Sequence, residues 1–594
     1  MANTMAEKIE EVAAPLASQD EVQEQHGDKP ELSHARKMSI LIVMNTVSLV
    51  QSFDATCICV ALPVSLSLPV VKPSPTDIQS LARELNASFS ESLSMGSVFL
   101  LATAIAQPIF AEMAHVIGRR PTYVASLVVF IAGTVLCGIA KSSVMLLAGR
   151  AVQGVGSGGP QALSGIIHAD MFAIRERSRW MSYQHVSWAL GTIAGPLIGG
   201  AVVQNKDSQW RWIFWCTLPL LGSSLTGAMF LLGYDKGKRN LRLIKNLDWV
   251  GILLYIIASV SLLLPLTWGG SRFPWSSAAV IVPLIASFLA FLGLGFYEKT
   301  IKKPMFRKSL FRHRSTVLQF ASATIHGSLM WMVLYYLAVY FLGIKGQTPL
   351  MAGVWALPAT ITVAPMAAVV GIVAYRTGRY MGFLLGGWAL MVTMFGVMTI
   401  LDKDTPTWVI LVMTLFLGIA IGLLIPVMNL GVQATVREED AGHAISMIYL
   451  LRTMGQCMGI AIGIAVFSVQ LEKELGKLGL DTAQINNALK MIKASVEHGS
   501  LGQQEHMMNA VVKALQCLWM AGSILAGLAL ILCLFARCPK LPEDPHGPVS
   551  AELMPESRFS DTAIGRVWYC FSGKILHKAT ALSNQSSGGL SLPN

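Results

Sequence analysis

Arg150 and Gln153 stand three residues apart in LLAGRAVQGVGSGGPQALSGII, residues 146–167, a stretch otherwise apolar or small. The run is long enough to cross a membrane as a helix, for which ~20 residues suffice. A guanidinium at that depth costs roughly 3 kcal/mol or more unless it faces protein or a wet cavity. Gly154, Gly156, Gly158 and Gly159 follow; they remove the bulk that would keep another helix or a substrate from the backbone. These residues predict a packed, polar interior reached by water, not a lipid-facing anchor. A second candidate is Asp54, the one acid in the apolar run SFDATCICVALPV, residues 52–64. A carboxylic acid in apolar surroundings holds its proton more tightly than in water, so it can gain and lose it near neutral pH. An acid so placed can equally bond Thr56 or backbone and fix helix packing. Both readings stay open at this point.

The elements that must position these groups are membrane helices. Of 594 residues, 53% are hydrophobic and only 13% charged, about half the charge of a soluble globular chain. Fourteen apolar spans are expected, near 38–63, 93–113, 121–141, 143–166, 181–203, 210–233, 248–268, 276–297, 315–343, 350–373, 380–401, 407–430, 441–467 and 511–536. The formal charge of +11 invites a nucleic-acid partner, but its distribution argues against one. Lys and Arg gather in alternate loops, at Arg119 and Arg120, Arg175 to Arg179, Lys236 to Lys245, Lys299 to Arg314, Arg376 and Arg379, and Arg437. That bias marks the cytoplasmic side and predicts both termini inside. Residues 1–37 and 537–594 are polar tails with a disordered composition, and 567–576 carries an apolar patch that either rests on the inner leaflet or is incidental. Two outer loops are long. One contains Asn86-Ala87-Ser88, a glycosylation acceptor triplet. The other, 468–510, reads as short amphipathic helices capping the outer face. Nine cysteines are scattered without disulfide or zinc spacing, so no metal is expected.

Several short patterns then resemble one family. SFDATCICVALPV is similar to the first-helix pattern of the major facilitator superfamily, with Asp54, Thr56 and a terminal Leu-Pro. AEMAHVIGRRP, 111–121, resembles its cytoplasmic gating loop through Gly118, Arg119 and Arg120, with His115 where the family has Asp and Ala111 where it has Gly. A histidine supplies no fixed negative charge at pH 7, so a weaker or pH-sensitive latch, or one taken over by Glu112, is expected. Arg150, Gln153, Gly154 and Gly156 match the fourth-helix pattern, to whose arginine the family assigns proton coupling. GTIAGPLIGG, 191–200, resembles the motif that sets antiporters apart, with Gly191, Gly195, Pro196, Gly199 and Gly200. The glycines every four residues give a smooth packing face, and the proline bends the helix. GIVAYRTGRY, 371–380, is a faint second copy of the gating loop, which suits a transporter of two related halves.

The resemblance covers roughly 38–536 and is strongest to fourteen-span drug:proton antiporters of the fungal secondary-metabolite and multidrug efflux type. It implies an all-α membrane protein with the major facilitator fold. A six-helix bundle at 38–233 and another at 315–536 would enclose a cavity, with two extra central helices at 234–314. It implies proton-coupled export of a hydrophobic or amphipathic small molecule, with Asp54, Arg150 and Gln153 in coupling and His115, Gly118, Arg119 and Arg120 at the gate. No cofactor beyond a proton gradient, a monomeric state and a plasma, vacuolar or vesicle membrane go with it. Uptake of a siderophore or nutrient on the same fold is the rival. An enzyme would need convergent catalytic groups: His168 and Asp170 have no third ligand near in sequence, and there is no phosphate-binding loop. Trp331, Met330, Tyr335 and Tyr336 are cavity candidates, with ordinary core packing the more economical reading.

Overall fold

The computed structural model describes residues 33–61, 85, 89–172, 174–204, 209–232, 247–269, 273–301, 304–437, 440–477 and 501–536. Asn86, the tail patch at 567–576 and most of both tails lie outside the described residues.

Helices account for the described chain. They are α1 His34–Ala61, α2 Phe89–Val116, α3 Arg119–Gly138, α4 Ser143–Met171 and α5 Ile174–Gln204. Then come α6 Trp212–Leu231, α7 Trp249–Trp268, α8 Ala278–Thr300, α9 Arg314–Ile344 and α10 Leu350–Thr377. The last four are α11 Met381–Met398, α12 Thr407–Gln433, α13 Ala441–Gly476 and α14 Leu501–Leu534. Among the described residues, thirteen helices are long and apolar enough to cross a membrane. The fourteenth, α4, is 29 residues long and falls short because of its glycines, Arg150 and glutamines.

Local chemistry sets the helix ends. Ser142 caps α4 by accepting from the Met145 amide at 3.2 Å, and Asp248 caps α7 by accepting from Gly251 at 2.8 Å, each meeting an amide left unpaired at a helix start. Gly118 and Gly378, the paired glycines of the two gating-loop copies, both take positive φ, 105° and 65°, which only glycine adopts without strain. The internal repeat is therefore visible in the backbone as well as in the letters.

The helices pack in two sets. In the first, α1 lies along α5, and α4 is wedged between α2 and α3; in the second, α9 lies along α13, and α11 packs on α12 and α14. Helices α7 and α8 pair with each other, and α7 also touches α2 and α13. Across the seam, α5 meets α10, and α13 meets α2 and α4. Every residue in the apolar window of α9 is buried, against 22% for α8; α8 instead exposes Phe288, Leu289 and Phe296. Large apolar side chains on outward faces are what an acyl-chain surround requires.

One boundary is corrected. The outer loop expected at 468–510 is shorter, because α13 runs on to Gly476 and α14 begins at Leu501. The stretch LEKELG continues α13 and is not a separate capping helix. Leu471 and Leu475 stay buried, and Glu474 ties the two helices together by pairing with Lys477 at 2.6 Å and Lys513 at 3.3 Å. The hydrophobic period carries past the apolar span, so the helix has a reason to continue.

Candidate functional site

Arg150, Gln153 and Asp54 come together, and all three are fully buried. Helix α4 presents Arg150 and Gln153 one turn apart on one face, and α1 brings Asp54 to meet them. The guanidinium donates to Gln153 Oε1 at 2.6 Å, to the Asp54 carbonyl at 3.0 Å and to the Met95 carbonyl at 3.3 Å. Its plane lies 4.2 Å from the Phe99 ring centroid. Gln153 Nε2 in turn donates to Asp54 Oδ2 and to Thr134 Oγ1, both at 3.0 Å. Cation and acid are thus joined through the amide of Gln153. Among the described residues Asp54 Oδ1 has no hydrogen-bond partner, an open acceptor beside a fixed cation. Thr56 bonds the Ser52 carbonyl at 2.7 Å, while the Asp54 carboxylate meets α4 through Gln153, a contact that also fixes how the two helices pack.

Close backbone approach makes this cluster possible. A Cβ on Gly154 would sit 2.3 Å from the Phe99 carbonyl oxygen, and one on Gly156 would sit 2.1 Å from the Phe130 amide nitrogen. The α4 glycines therefore face α2 and α3, and the space they leave is filled by those helices.

The antiporter-like stripe does the same on α5. Cβ atoms on Gly191 and Gly199 would lie 2.1 and 2.5 Å from the carbonyl oxygens of Leu49 and Cys57 on α1, and one on Gly195 would lie 2.2 Å from Thr56 Oγ1. Pro196 and Gly200 are buried, and the Pro196 carbonyl abuts Gly353 of α10, where a Cβ would come within 2.9 Å. The stripe thus joins α5 to α1 and, through Pro196, to the other set of helices.

Between the sets lies a cavity lined from α1, α2, α4, α5, α9 and α13. Phe99, which the Arg150 guanidinium covers, and Ala55, next to Asp54, form part of its wall. The buried cluster is therefore one side chain away from the cavity. Of the aromatic candidates, Trp331 lines this cavity and Met330 a smaller one. Tyr335 packs at Gly96 and Tyr336 at Gly463, which is the core-packing reading.

Contacts between the sets stand on both sides of the cavity. On the arginine-rich face, Arg177 reaches Gln433 Oε1 at 3.1 Å while also bonding the Phe172 and Ala169 carbonyls. On the same face, though not across the seam, Arg307 in the segment before α9 pairs with Asp440 ahead of α13 at 2.8 Å. Burial pushes the Asp440 carboxyl up, but hydrogen bonds from Ser309 and Arg307 outweigh it and hold the group below its ordinary range. On the opposite side, Tyr335 of α9 presses on Gly96 of α2.

The gating loop departs from the pattern expected of it. His115 does not stand in for the acid. It stacks on His443 of α13, centroids 4.4 Å apart and planes within 9°. The acid that meets Arg119 is Asp170, at the end of α4, in a two-pronged contact of 2.7 and 3.2 Å. Glu112 lines a separate cavity with Arg307 and His443. Arg120, on the same turn, is half-buried. His168 bonds the Ser164 carbonyl at 2.8 Å, so the His168 and Asp170 pair is divided between two unrelated contacts.

Three features were missed in the sequence. Arg177 was counted as one of several loop charges, and nothing in RERSRW sets it apart from its neighbours. Arg452, in LLRTMGQCMG, is a cation in an apolar span whose surroundings the sequence does not give. Gly455, Gly459 and Gly463 on α13 repeat the four-residue spacing of the α5 stripe, and that signal was legible. Their Cβ atoms would lie 2.0 Å from the Thr324 and Ser328 carbonyl oxygens and 2.2 Å from the Tyr336 ring.

The family model described as Major Facilitator Superfamily matches residues 45–460. The "MFS transporter L2" of Phoma sp. is 34% identical over 514 residues, covering 84% of this chain and 82% of that protein. The "MFS efflux transporter aclA" of Aspergillus oryzae is 30% identical, covering 84% and 89%. The "Efflux pump FUS6" of Gibberella moniliformis is 31% identical, covering 74% and 80%. Among solved structures, the human organic anion transporter MFSD10 superposes with a TM-score of 0.51 at 16% identity, covering 85% of this chain and all of that one; at that identity the likeness speaks for the fold alone.

Proposed function

Because the chain belongs to the major facilitator superfamily and is thus a multi-pass membrane transporter and not an enzyme, we propose that it exports a hydrophobic or amphipathic small molecule of the secondary-metabolite class by exchange for protons. The observation that carries the coupling half of this reading is the Arg150–Gln153–Asp54 cluster. It places an acid with one unpartnered oxygen against a permanent cation, sealed from water, one side chain from the central cavity. A proton added to Asp54 changes the charge of that cluster by one unit where little solvent screens it. Such a change biases how α1 sits against α4, and through the glycine stripe how α5 sits against α1. The relatives described as efflux pumps and the Gly-Pro stripe support export over uptake.

In this reading the sets 38–233 and 315–536 rock about the cavity, with α7 and α8 as an inserted pair. The lysine and arginine bias supports a cytoplasmic position for the Arg177, Arg307 and gating-loop face, with both termini on that side. The working unit is a monomer, most simply in the plasma membrane. The test is transport in everted membrane vesicles from cells expressing the chain, loaded by an imposed pH gradient with metabolites from culture fluid. Accumulation that disappears when the gradient is collapsed is expected. Accumulation that persists without a gradient overturns proton exchange, and gradient-driven loss from the vesicles overturns export.

A further inference from the structure

We propose that the central cavity takes its cargo as an anion, a planar organic acid whose negative oxygen pairs with Arg452 of α13. This deepens the transport reading and rests on it. The geometry begins with a contrast among buried arginines. Arg150 and Arg177 each satisfy several donors on protein oxygens. Arg452 is 7% exposed and lines the central cavity, yet its guanidinium makes no hydrogen bond among the described residues. Its Nε is buried without an acceptor. One contact holds it, the Tyr449 ring at 4.9 Å. The ring contact uses none of the N–H donors as a hydrogen bond, and those donors are what a carboxylate engages with two parallel bonds.

A buried cation left without an acceptor is costly unless a partner arrives. The cavity wall supplies none: no Asp or Glu is among its described lining residues. Its amides are largely spoken for, with Gln51 bonded to Ser157 at 2.6 Å and Gln184 to Ser164 at 2.7 Å. The counter-charge is therefore left to the cargo. Shape points to a flat one. Trp188 of α5 and Trp331 of α9 line the same cavity, with centroids 6.1 Å apart and planes 42° apart, so each helix set offers one aromatic face. Aromatic carboxylates and acidic enols meet these demands; organic cations would meet a like charge.

The test measures binding to the purified full-length chain in nanodiscs, with radiolabelled naphthalene-2-carboxylate and its neutral amide as probes. Wild type is expected to bind the carboxylate at least ten-fold more tightly than the amide. Arg452→Gln is expected to bring the carboxylate to the level of the amide and leave amide binding unchanged, and Arg452→Lys to keep part of the preference. Equal binding of both probes by wild type, binding of neither, or a preference that survives in Arg452→Gln overturns the proposal. So does displacement of the naphthoate by acetate or chloride at equal concentration, which would mark a general small-anion site. If Arg452→Gln does not fold, a carboxylate-to-amide ratio in Arg452→Lys equal to that of wild type overturns it, and a lower one supports it. Binding requires no gradient. A carboxylate preference that holds while vesicle export fails would therefore sink the transport reading and not this one.

Discussion

Helices α5 and α13 hold equivalent places in the two sets and differ in what they carry. Each bears three glycines four residues apart, 191, 195 and 199 on one and 455, 459 and 463 on the other. Each lays that stripe on a partner helix, α1 or α9, closely enough that a Cβ would strike backbone or ring atoms. Three residues ahead of each stripe, both helices point a side chain into the cavity, Trp188 from α5 and Arg452 from α13. The frame is duplicated and the chemistry is not. The α5 stripe adds Pro196 and its contact across the seam, and it neighbours a sealed Arg150–Asp54 cluster. The α13 stripe has Ile460 in place of the proline and neighbours an arginine with no acceptor. On a common scaffold of helix contacts, one set thus carries a buried arginine–acid cluster and the other an arginine that lines the cavity.

The sharpest way to break that division is to remove the cluster in the first set. Arg150→Ala leaves Gln153 and the Asp54 and Met95 carbonyls without their shared donor, and Asp54→Asn removes the titrating charge. Each is expected to abolish gradient-driven transport while surface expression persists. Naphthoate binding at Arg452 should survive Asp54→Asn, because the two sites are separate. Vesicle transport and probe binding, measured side by side, check this; transport at the wild-type rate in both variants would remove the coupling role from the cluster.

The duplicated frame makes the next prediction. Gly191→Val and Gly455→Val each drive a branched side chain into a carbonyl 2.1 or 2.0 Å from where its Cβ must sit. Overpacking of this kind costs about 1–3 kcal/mol or more, so both should lower the thermal midpoint of the purified chain by similar amounts. Gly222→Val, where a Cβ would meet nothing within 4 Å, should not. A large loss in one stripe and none in the other would show that the two contacts are not equivalent.

What the sequence could and could not say follows from how these features are encoded. Fourteen helices were legible because hydrophobic length and loop charge are local. The α5 stripe was legible for the same reason, and so was the depth of Arg150. The bridging role of Gln153 was not, since it depends on α1, α3 and α4 converging. Nor was the identity of the acid that meets Arg119, which turned out to be Asp170, 51 residues away. Arg452 shows the limit most plainly. An arginine in an apolar helix announces that something must meet it, and only packing shows that, among the described residues, a tyrosine ring does and no hydrogen-bond acceptor does.

The arginine-rich face yields a smaller effect that tests the seam. His115 of α2 and His443 of α13 stack flat at 4.4 Å, a ring contact between the sets. His115→Ala removes it and should loosen the seam there. A cysteine placed at Ser446 should react faster with a hydrophilic maleimide in His115→Ala than in the wild-type background, and His115→Phe, which keeps a flat ring, should restore the slower rate.

The smallest effect belongs to the ion pair on the same face. Hydrogen bonds from Ser309 and Arg307 outweigh burial and hold the Asp440 carboxyl below its ordinary value of 3.8. A group whose pKa is depressed by folding stabilises the folded state above its unfolded pKa, and loses that contribution as pH falls through the folded one. The contribution is therefore complete above about pH 4 and fades only in stronger acid. Arg307 is 42% exposed, so solvent screening limits the pair to ~0.2–1 kcal/mol. Asp440→Asn should lower the thermal midpoint slightly at pH 7 and converge on wild type as pH falls below the folded value. A difference that grows on acidification would show that the ionised carboxyl adds nothing to holding the segment before α9 against α13.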